Sequence, residues 1–399
     1  MEKMLSESMQ LKRHRNGIRF RRSTISLIFL VWSVVALSPG LCSAADKGSD
    51  PFDVYAVDGA GEQLRHIKVR PDGNRVEVVQ EGLIAMPGKP HGIARHPTQS
   101  SFIVTLVGKG AESPRAVTLG LGDDGKLSIV GVSDLQDSTG YTSFDRTGGY
   151  FLTSSYHDGH LDVYQVKPDG VVGERVSHHK VAEKYAHSVL TTPDNRFLYV
   201  PCVKEFNAIY QYAFDGQTGE VSPLEPFDAK PPHMSGPRHI AYHPDLPFVY
   251  FSNEQQLGVS AYRVEANGQL VALQHAITIP RRSPYTAGVR GMHASDIAVT
   301  GDGKFLFLAL RDFVGDEDSV FMFSVAEDGR LSLVSRKRVG DIPWCLRVSP
   351  SDSHLLVSES RDKTLAVFPI HPDGSLGDAV RMDWGTDVRN MVVHPLSAK

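Results

Sequence analysis

The chain has 399 residues, 41% hydrophobic and 22% charged, with 36 Gly and 24 Pro. That composition excludes disordered and collagen-like chains and points to a turn-rich globular fold. The three cysteines form no C-x-x-C pair, which excludes a disulfide scaffold and a Cys-rich zinc module. Taken from the N-terminus, Lys12, Arg13, Arg15, Arg19, Arg21 and Arg22 precede an apolar run from Leu27 to Leu37 and the small residues Cys42-Ser43-Ala44. This predicts a secretory signal peptide over 1–44, because the run is too short for the roughly 20 residues that span a bilayer. An uncleaved anchor is the alternative. Removing the seven basic and two acidic residues of 1–44 leaves 35 Lys and Arg against 44 Asp and Glu, a net charge of −9. An acidic remainder argues against nucleic-acid binding, which needs a basic face to neutralise phosphates.

From there on, one pattern recurs seven times: an alternating apolar strand that runs into a Pro, Asp or Gly turn. The copies are Gly92–Pro97, Tyr141–Arg146, Ser188–Pro193, His239–Pro244, Asp296–Gly301, Cys345–Pro350 and Asn390–Pro395, with last residues 45 to 57 positions apart. Hairpin glycines at Gly73, Gly125, Gly170, Gly219, Gly268, Gly329 and Gly374 repeat at a similar period. A full unit holds four strands, the second typified by Phe197–Val200 and the third by Ile209–Phe214. Four strands per unit predict an all-β, seven-bladed propeller with four antiparallel strands per blade. The last copy ends after its first strand, and the three strands it lacks stand at the start, at Asp53–Val57, Leu64–Val69 and Val76–Gln80. The ring is therefore expected to close with N- and C-terminal strands in one blade, as a single domain over 45–399.

This frame disposes of several motifs. Gly120-Leu-Gly-Asp-Asp-Gly125 matches G-x-G-x-x-G but opens no helix, so it reads as a turn rather than a dinucleotide site. Cys202 and Cys345 fall on opposite sides of the ring and read as free thiols. The His-Pro pairs at His96, His243 and His394 punctuate strand ends. Asp312 and Asp316-Glu317-Asp318 form an acidic loop without the spacing of a calcium loop, which favours a solvated surface segment.

In a propeller the first strand of each blade lines the central channel. Counting six residues back from each turn gives His91, Gly140, His187, Arg238, Ser295, Trp344 and Arg389, a set with two imidazoles, two guanidiniums and an indole. Such a funnel suits a small polyoxygenated anion or lactone. The alternative is a polar channel whose groups satisfy one another and trapped water.

Tyr-Ala-His187-Ser, Gly236-Pro237-Arg238-His239-Ile-Ala-Tyr-His-Pro, Tyr-Phe-Ser-Asn253-Glu254 and Asp296-Ile-Ala-Val-Thr-Gly-Asp-Gly303 resemble the successive motifs of the seven-bladed propeller lactonases. That family resembles propeller-type 6-phosphogluconolactonases and fungal carboxymuconate cyclases, and the similarity covers residues 51–399. The resemblance implies a catalytic set of His187, Arg238, Glu254 and Arg311, with His187 or Glu254 as the base, the other as its orienting partner, and the arginines as oxyanion or anion clamps. The family's Ser-Asn-Arg stands here as Ala309-Leu310-Arg311, and the insertion Arg281–His293 offers Arg290 and His293 as competitors for the second arginine's place. His91, His239, Arg290, His293, Trp344 and Arg389 are expected to bind substrate. No cofactor and no metal ligand set is expected. The partner implied is a small-molecule lactone or sugar acid, for a periplasmic or secreted monomer without a membrane span or nucleic acid. Export conflicts with a phosphorylated lactone made in the cytoplasm, so a different lactone is expected. The alternatives are a non-catalytic propeller that binds a sugar acid or partner protein, and a muconate-type lactone cycloisomerase.

Overall fold

The computed structural model describes residues 50–72, 75–108, 113–279 and 291–396. The signal segment 1–44, Gly73 and Arg290 lie outside the described residues. The described residues form seven four-stranded antiparallel sheets. Blades 1 to 6 open with inner strands Pro90–Arg95, Tyr141–Phe144, Leu190–Thr191, Pro237–Tyr242, Met292–Val299 and Pro343–Val348. Blade 7 joins Met391–Pro395 to Phe52–Asp58, Gln63–Asp72 and Arg75–Ala85, with Phe52 opposite Pro395 and Ala56 opposite Met391. The predicted split closure is thus present. Among the described residues no helix is long and apolar enough to cross a membrane.

The strand sequences follow from where each strand sits in its blade. Second strands such as Phe248–Asn253 are buried at every position, because neighbouring blades cover both faces. Outermost strands such as Val172–Lys180 and Leu331–Arg338 mostly alternate, with charged residues toward solvent that also protect the open edge. Among the described residues the buried apolar side chains gather in seven clusters, each drawn mainly from two adjacent blades; Tyr250 and Val259 of blade 4, for example, meet Leu308 and Phe321 of blade 5.

Both landmark series have a packing reason. Gly268 and Gly329 adopt φ of +84° and +80°, which glycine reaches without strain. A Cβ there would lie 2.2 Å from the Phe197 ring and 2.6 Å from the Phe248 ring of the preceding blade. The Tyr199 and Tyr250 hydroxyls donate to the carbonyls of these glycines at 2.7 and 3.1 Å, so each hairpin locks onto its neighbour. In the His-Pro turns, Nδ1 of His96 accepts from the Thr98 and Gln99 amides, and Nδ1 of His243 from Asp245 and Leu246. His96 and His243 punctuate their turns, as expected, whereas the buried His394 Nδ1 has no hydrogen-bond partner. Cys202 and Cys345 are free and buried.

Candidate active site

The funnel residues owe their display to irregular inner strands. In blade 1 the pairing with the second strand skips His91, in blade 4 it skips Arg238 and His239, in blade 5 Ser295 and Asp296, and in blade 6 Trp344. Such bulges re-aim side chains that a regular ladder would hold between sheets. His187 lies in a comparable gap, between the bridge Ala186–Cys202 and the pair Leu190–Tyr199.

Arg238 is buried at 3% exposure, and its Nη1 donates to the Ser295 carbonyl at 2.9 Å. Its Nε stands 3.1 Å from Glu254 Oε2, yet the approach is not aligned as a hydrogen bond. Glu254 follows the second strand of blade 4 and is tied at both backbone groups, to the Gly236 carbonyl and the Ala294 amide. Arg311, on the second strand of blade 5, bonds the Ala294 carbonyl and brings Nη2 to 3.9 Å from the same Oε2. Two buried guanidiniums therefore face one carboxylate oxygen. Burial, then the Arg238 charge, destabilises the Arg311 cation and pulls its pKa well below the usual arginine range. The guanidiniums of Arg311, Arg389 and Arg238 also lie 4.5, 4.3 and 6.0 Å from the Trp344 ring centroid. An indole face attracts such cations. Arg389 is more exposed and ion-paired with Asp387. His293 places Nδ1 3.6 Å from Glu254 Oε1 at the half-exposed edge of the group.

Below this cluster runs a second chain of contacts. Arg238 Nη1 lies 3.1 Å from His239 Nε2, and His239 Nδ1 lies 2.7 Å from Asp296 Oδ1. A guanidinium can only donate, so Nε2 accepts and the imidazole proton sits on Nδ1, given to Asp296. Burial and then the Arg238 charge lower the His239 pKa to about 4, which keeps the ring neutral. Burial alone would raise Asp296, but the pull of His239 and Arg347 and the Leu346 amide hold it below the usual carboxylate range. Both His239 nitrogens are thus engaged. This corrects the expectation that His239 binds substrate: it is a strut between Arg238 and Asp296. Its ring meets His187 edge-on at 5.0 Å, and Tyr156 meets His187 from another side at 5.4 Å. Burial, then Arg238, His239 and Arg311, drives the His187 pKa well below 6.5, and its buried Nδ1 has no hydrogen-bond partner.

Residues 54–388 match the family described as "Lactonase, 7-bladed beta-propeller". The chain belongs to this family. It is 29% identical over 328 residues to a 6-phosphogluconolactonase of Pectobacterium carotovorum subsp. carotovorum, covering 82% of this chain and 92% of that one. A 6-phosphogluconolactonase of Yersinia pestis is 27% identical, covering 82% and 89%. Among solved structures, a periplasmic gluconolactonase of Pseudomonas aeruginosa superposes with a TM-score of 0.75 at 24% identity, over 86% of this chain and 99% of that one. A putative 6-phosphogluconolactonase of Bacteroides fragilis gives 0.73 at 18%, over 86% and 98%. These likenesses at low identity bear on the fold.

Within this propeller lactonase the expected residues are not all at the funnel. Ser295 is fully buried, and its hydroxyl donates to the Pro343 carbonyl between blades 5 and 6, so it leaves the predicted ring. The expected partnership of His187 with Glu254 is also replaced, because Glu254 serves Arg238, Arg311 and His293, whereas His187 rests on His239 and Tyr156. His91 stands exposed in the blade 1 bulge. Asp312 accepts from the Val314, Gly315 and Glu317 amides, and Glu317 pairs with Arg336 and Arg338. The acidic loop is thus a turn braced by ion pairs. Two contributors had no sequence signal: Lys204, whose ammonium lies 4.2 Å from the Tyr185 ring centroid, and Tyr156, both in loops beyond the second strands. A cavity of about 280 Å³ lies beside the cluster, lined by Phe313, Trp344, Arg361, Lys363 and Arg389 among others. A larger depression of about 920 Å³ sits on the outer strands of blades 2 and 3 and contains none of the candidate residues.

Proposed function

We propose that this propeller lactonase opens a sugar-derived lactone in its central funnel, outside the cytoplasm. The observation that carries the reading is the pair of buried arginines, Arg238 and Arg311, whose Nε groups have no aligned acceptor and which share one carboxylate oxygen. Paired donors of fixed charge in a site of low water content stabilise the negative oxygen that develops when a lactone carbonyl is attacked. His187 takes the proton from the attacking water, since its neutral form, the form that accepts a proton, persists across the neutral range. The hydroxide oxygen bonds the carbonyl carbon, and the tetrahedral oxyanion rests on the arginines. The ring C–O bond then breaks, and the His187 proton passes to the departing alkoxide. The product carboxylate is held by the same guanidiniums.

Trp344 offers its face to the sugar ring, with Arg389 and His293 at the rim. Glu254 positions the two arginines and His293 rather than acting as the base. The basic and apolar pattern of 1–44 supports export to the periplasm or medium, where an unphosphorylated aldonolactone is the fitting substrate and the chain works as a monomer. Release of acid from glucono- and galactonolactones, measured with the parent and with His187→Gln and Arg311→Lys, tests the reading. Parent activity with losses of about 10²-fold or more in both variants is expected. Tight binding of the aldonic acid by a parent that leaves every lactone intact would instead establish the sugar-acid-binding reading.

A further inference from the structure

On the outer half of blade 2, away from the inner strands that carry the funnel, four side chains converge. His160 and Asp162 are two residues apart on the third strand and so share a face, and His178 on the outermost strand is the register partner of Asp162. Asp137 reaches them from the loop that joins blades 1 and 2. One oxygen or imidazole nitrogen from each lies within 4.8 Å of all the others. Asp162 is buried, and His160 Nδ1 is buried without a hydrogen-bond partner, 3.8 Å from Asp137 Oδ1.

Arg175 occupies the middle of this group. Its Nη1 contacts Asp137 Oδ2 and lies 3.0 Å from Asp162 Oδ1 and 3.2 Å from His178 Nδ1, while His178 Nδ1 is itself 2.7 Å from Asp162 Oδ1. The protons close in one arrangement, in which His178 Nδ1–H donates to Asp162 and the two hydrogens of Arg175 Nη1 go to Asp137 and Asp162. If His178 Nδ1–H donates to Asp162, it turns no lone pair to Arg175. If it accepts from Arg175, two acceptor atoms face each other at 2.7 Å. His160 Nδ1 is left without a partner in either case, although it is buried and faces the other three groups.

A divalent cation uses all four groups, the unpartnered His160 Nδ1 included, because it takes lone pairs from both imidazoles and charge from both carboxylates at once. We infer that Asp137, His160, Asp162 and His178 form a binding site for a borderline transition-metal ion such as Zn²⁺, in which Arg175 holds the cation's place and swings toward solvent when the metal binds. Ligand bonds of about 2.0–2.2 Å require the four donors to close up somewhat, which side-chain rotation on two paired strands allows. Two imidazoles favour such an ion over Mg²⁺ or Ca²⁺. The bound ion fastens the loop carrying Asp137 to the outer strands of blade 2. The same loop runs through Ser138, bonded to Asp158, to Gly140 at the start of the inner strand.

Equilibrium dialysis of the chelator-treated full protein against Zn²⁺, with elemental analysis and thermal melts, provides the test. One Zn²⁺ per chain and a raised melting temperature are expected. The double variant His160→Gln/His178→Gln should weaken binding by more than about 100-fold, beyond what loss of an outer-shell partner costs. Arg175→Met should tighten binding, because it removes the competing cation. A role confined to ion pairing predicts the reverse: Arg175→Met would destabilise the protein and bind no metal. The inference is overturned if neither the parent nor Arg175→Met takes up stoichiometric Zn²⁺, if the double variant retains it, or if Mg²⁺ raises the melting temperature equally.

Discussion

Two Arg–Glu contacts sit at nearly the same level of two blades and behave differently. Glu359 ends the second strand of blade 6 and is fully buried. Its oxygens accept from Gly340 N at 2.7 Å, Thr364 Oγ1 at 2.7 Å, and Arg381 through Nε at 2.9 Å and Nη2 at 3.0 Å. Every acceptor direction is used, and the arginine fork is matched to both oxygens. Glu254 follows the corresponding strand of blade 4, one residue beyond the position that pairs with the inner strand. It faces two guanidiniums and an imidazole at 3.1, 3.9 and 3.6 Å with no aligned bond among those three contacts. The first arrangement is complete within the chain. The second has donor capacity to spare, which is what binding a transient anion requires.

That contrast can be broken by exchanging charge for shape. Glu254→Gln should lower kcat/KM for the responsive lactone by about 10²–10³-fold, because the arginines lose the carboxylate that places them, while the melting temperature stays near that of the parent. A rate within about threefold of the parent would remove Glu254 from the site. Acid sharpens the comparison further. The folded His239 pKa lies near 4, below its ordinary 6.5, so the folded state binds fewer protons than the unfolded one between those values. Stability is therefore full above pH 6.5 and falls as pH drops toward 4, by on the order of 3 kcal/mol from this residue. Urea unfolding at pH 7, 6 and 5 should show the fall, and His239→Gln should make it shallower by this residue's share, leaving the part that His187 contributes with the same sign.

Glu359→Gln reverses the first outcome: about 2 kcal/mol of stability lost, through mismatched buried donors, with kcat/KM of the folded protein unchanged. The smallest effect is expected for Trp344→Leu. Removing the face shared by three arginines should raise KM several-fold, since a cation–π contact is worth about 0.5–2 kcal/mol, and leave kcat nearly intact. An unchanged KM would place the substrate elsewhere.

The fold was legible because each landmark answers a local demand. The hairpin glycines need positive φ and room beneath a neighbouring aromatic ring, and the His-Pro turns need an imidazole acceptor for two amides. The positive φ recurs in successive blades and the imidazole acceptor in blades 1 and 4, and the first of these prints a period in the sequence. Arg238, Trp344 and His91 were found by counting because a bulge displays each of them. The same count failed at Ser295, whose bulge skips two residues as that of blade 4 does, because its short side chain turns to the Pro343 carbonyl between blades instead of to the funnel. His239 resembled a binding residue because its two partners come from different units: Arg238 is adjacent in sequence, and Asp296 belongs to the next blade. Lys204 and Tyr156 stand in loops whose course no periodicity prescribes. The blade 2 cluster was missed for a related reason. Strand pairing assembles its ligands, and His160-Leu-Asp162 alone has no metal-binding spacing.

The pairing of Phe52 with Pro395 makes the ring a closed circle drawn from an open chain. Its two ends are neighbours in one sheet, so the circle has no preferred origin. A gene rearranged to begin in an outer hairpin, such as the one around Gly268, and bridged between 396 and 50 by a short flexible linker would encode the same circle. The seam would then fall within blade 4, next to the arginine and glutamate of the funnel, and blade 7 would become an unbroken unit. The native order instead places the pairing of Met391–Pro395 with Phe52–Asp58 at the point of closure. The ring cannot shut until the strand Met391–Pro395 has been made, so closure waits for a strand that is synthesised after those of the other six blades.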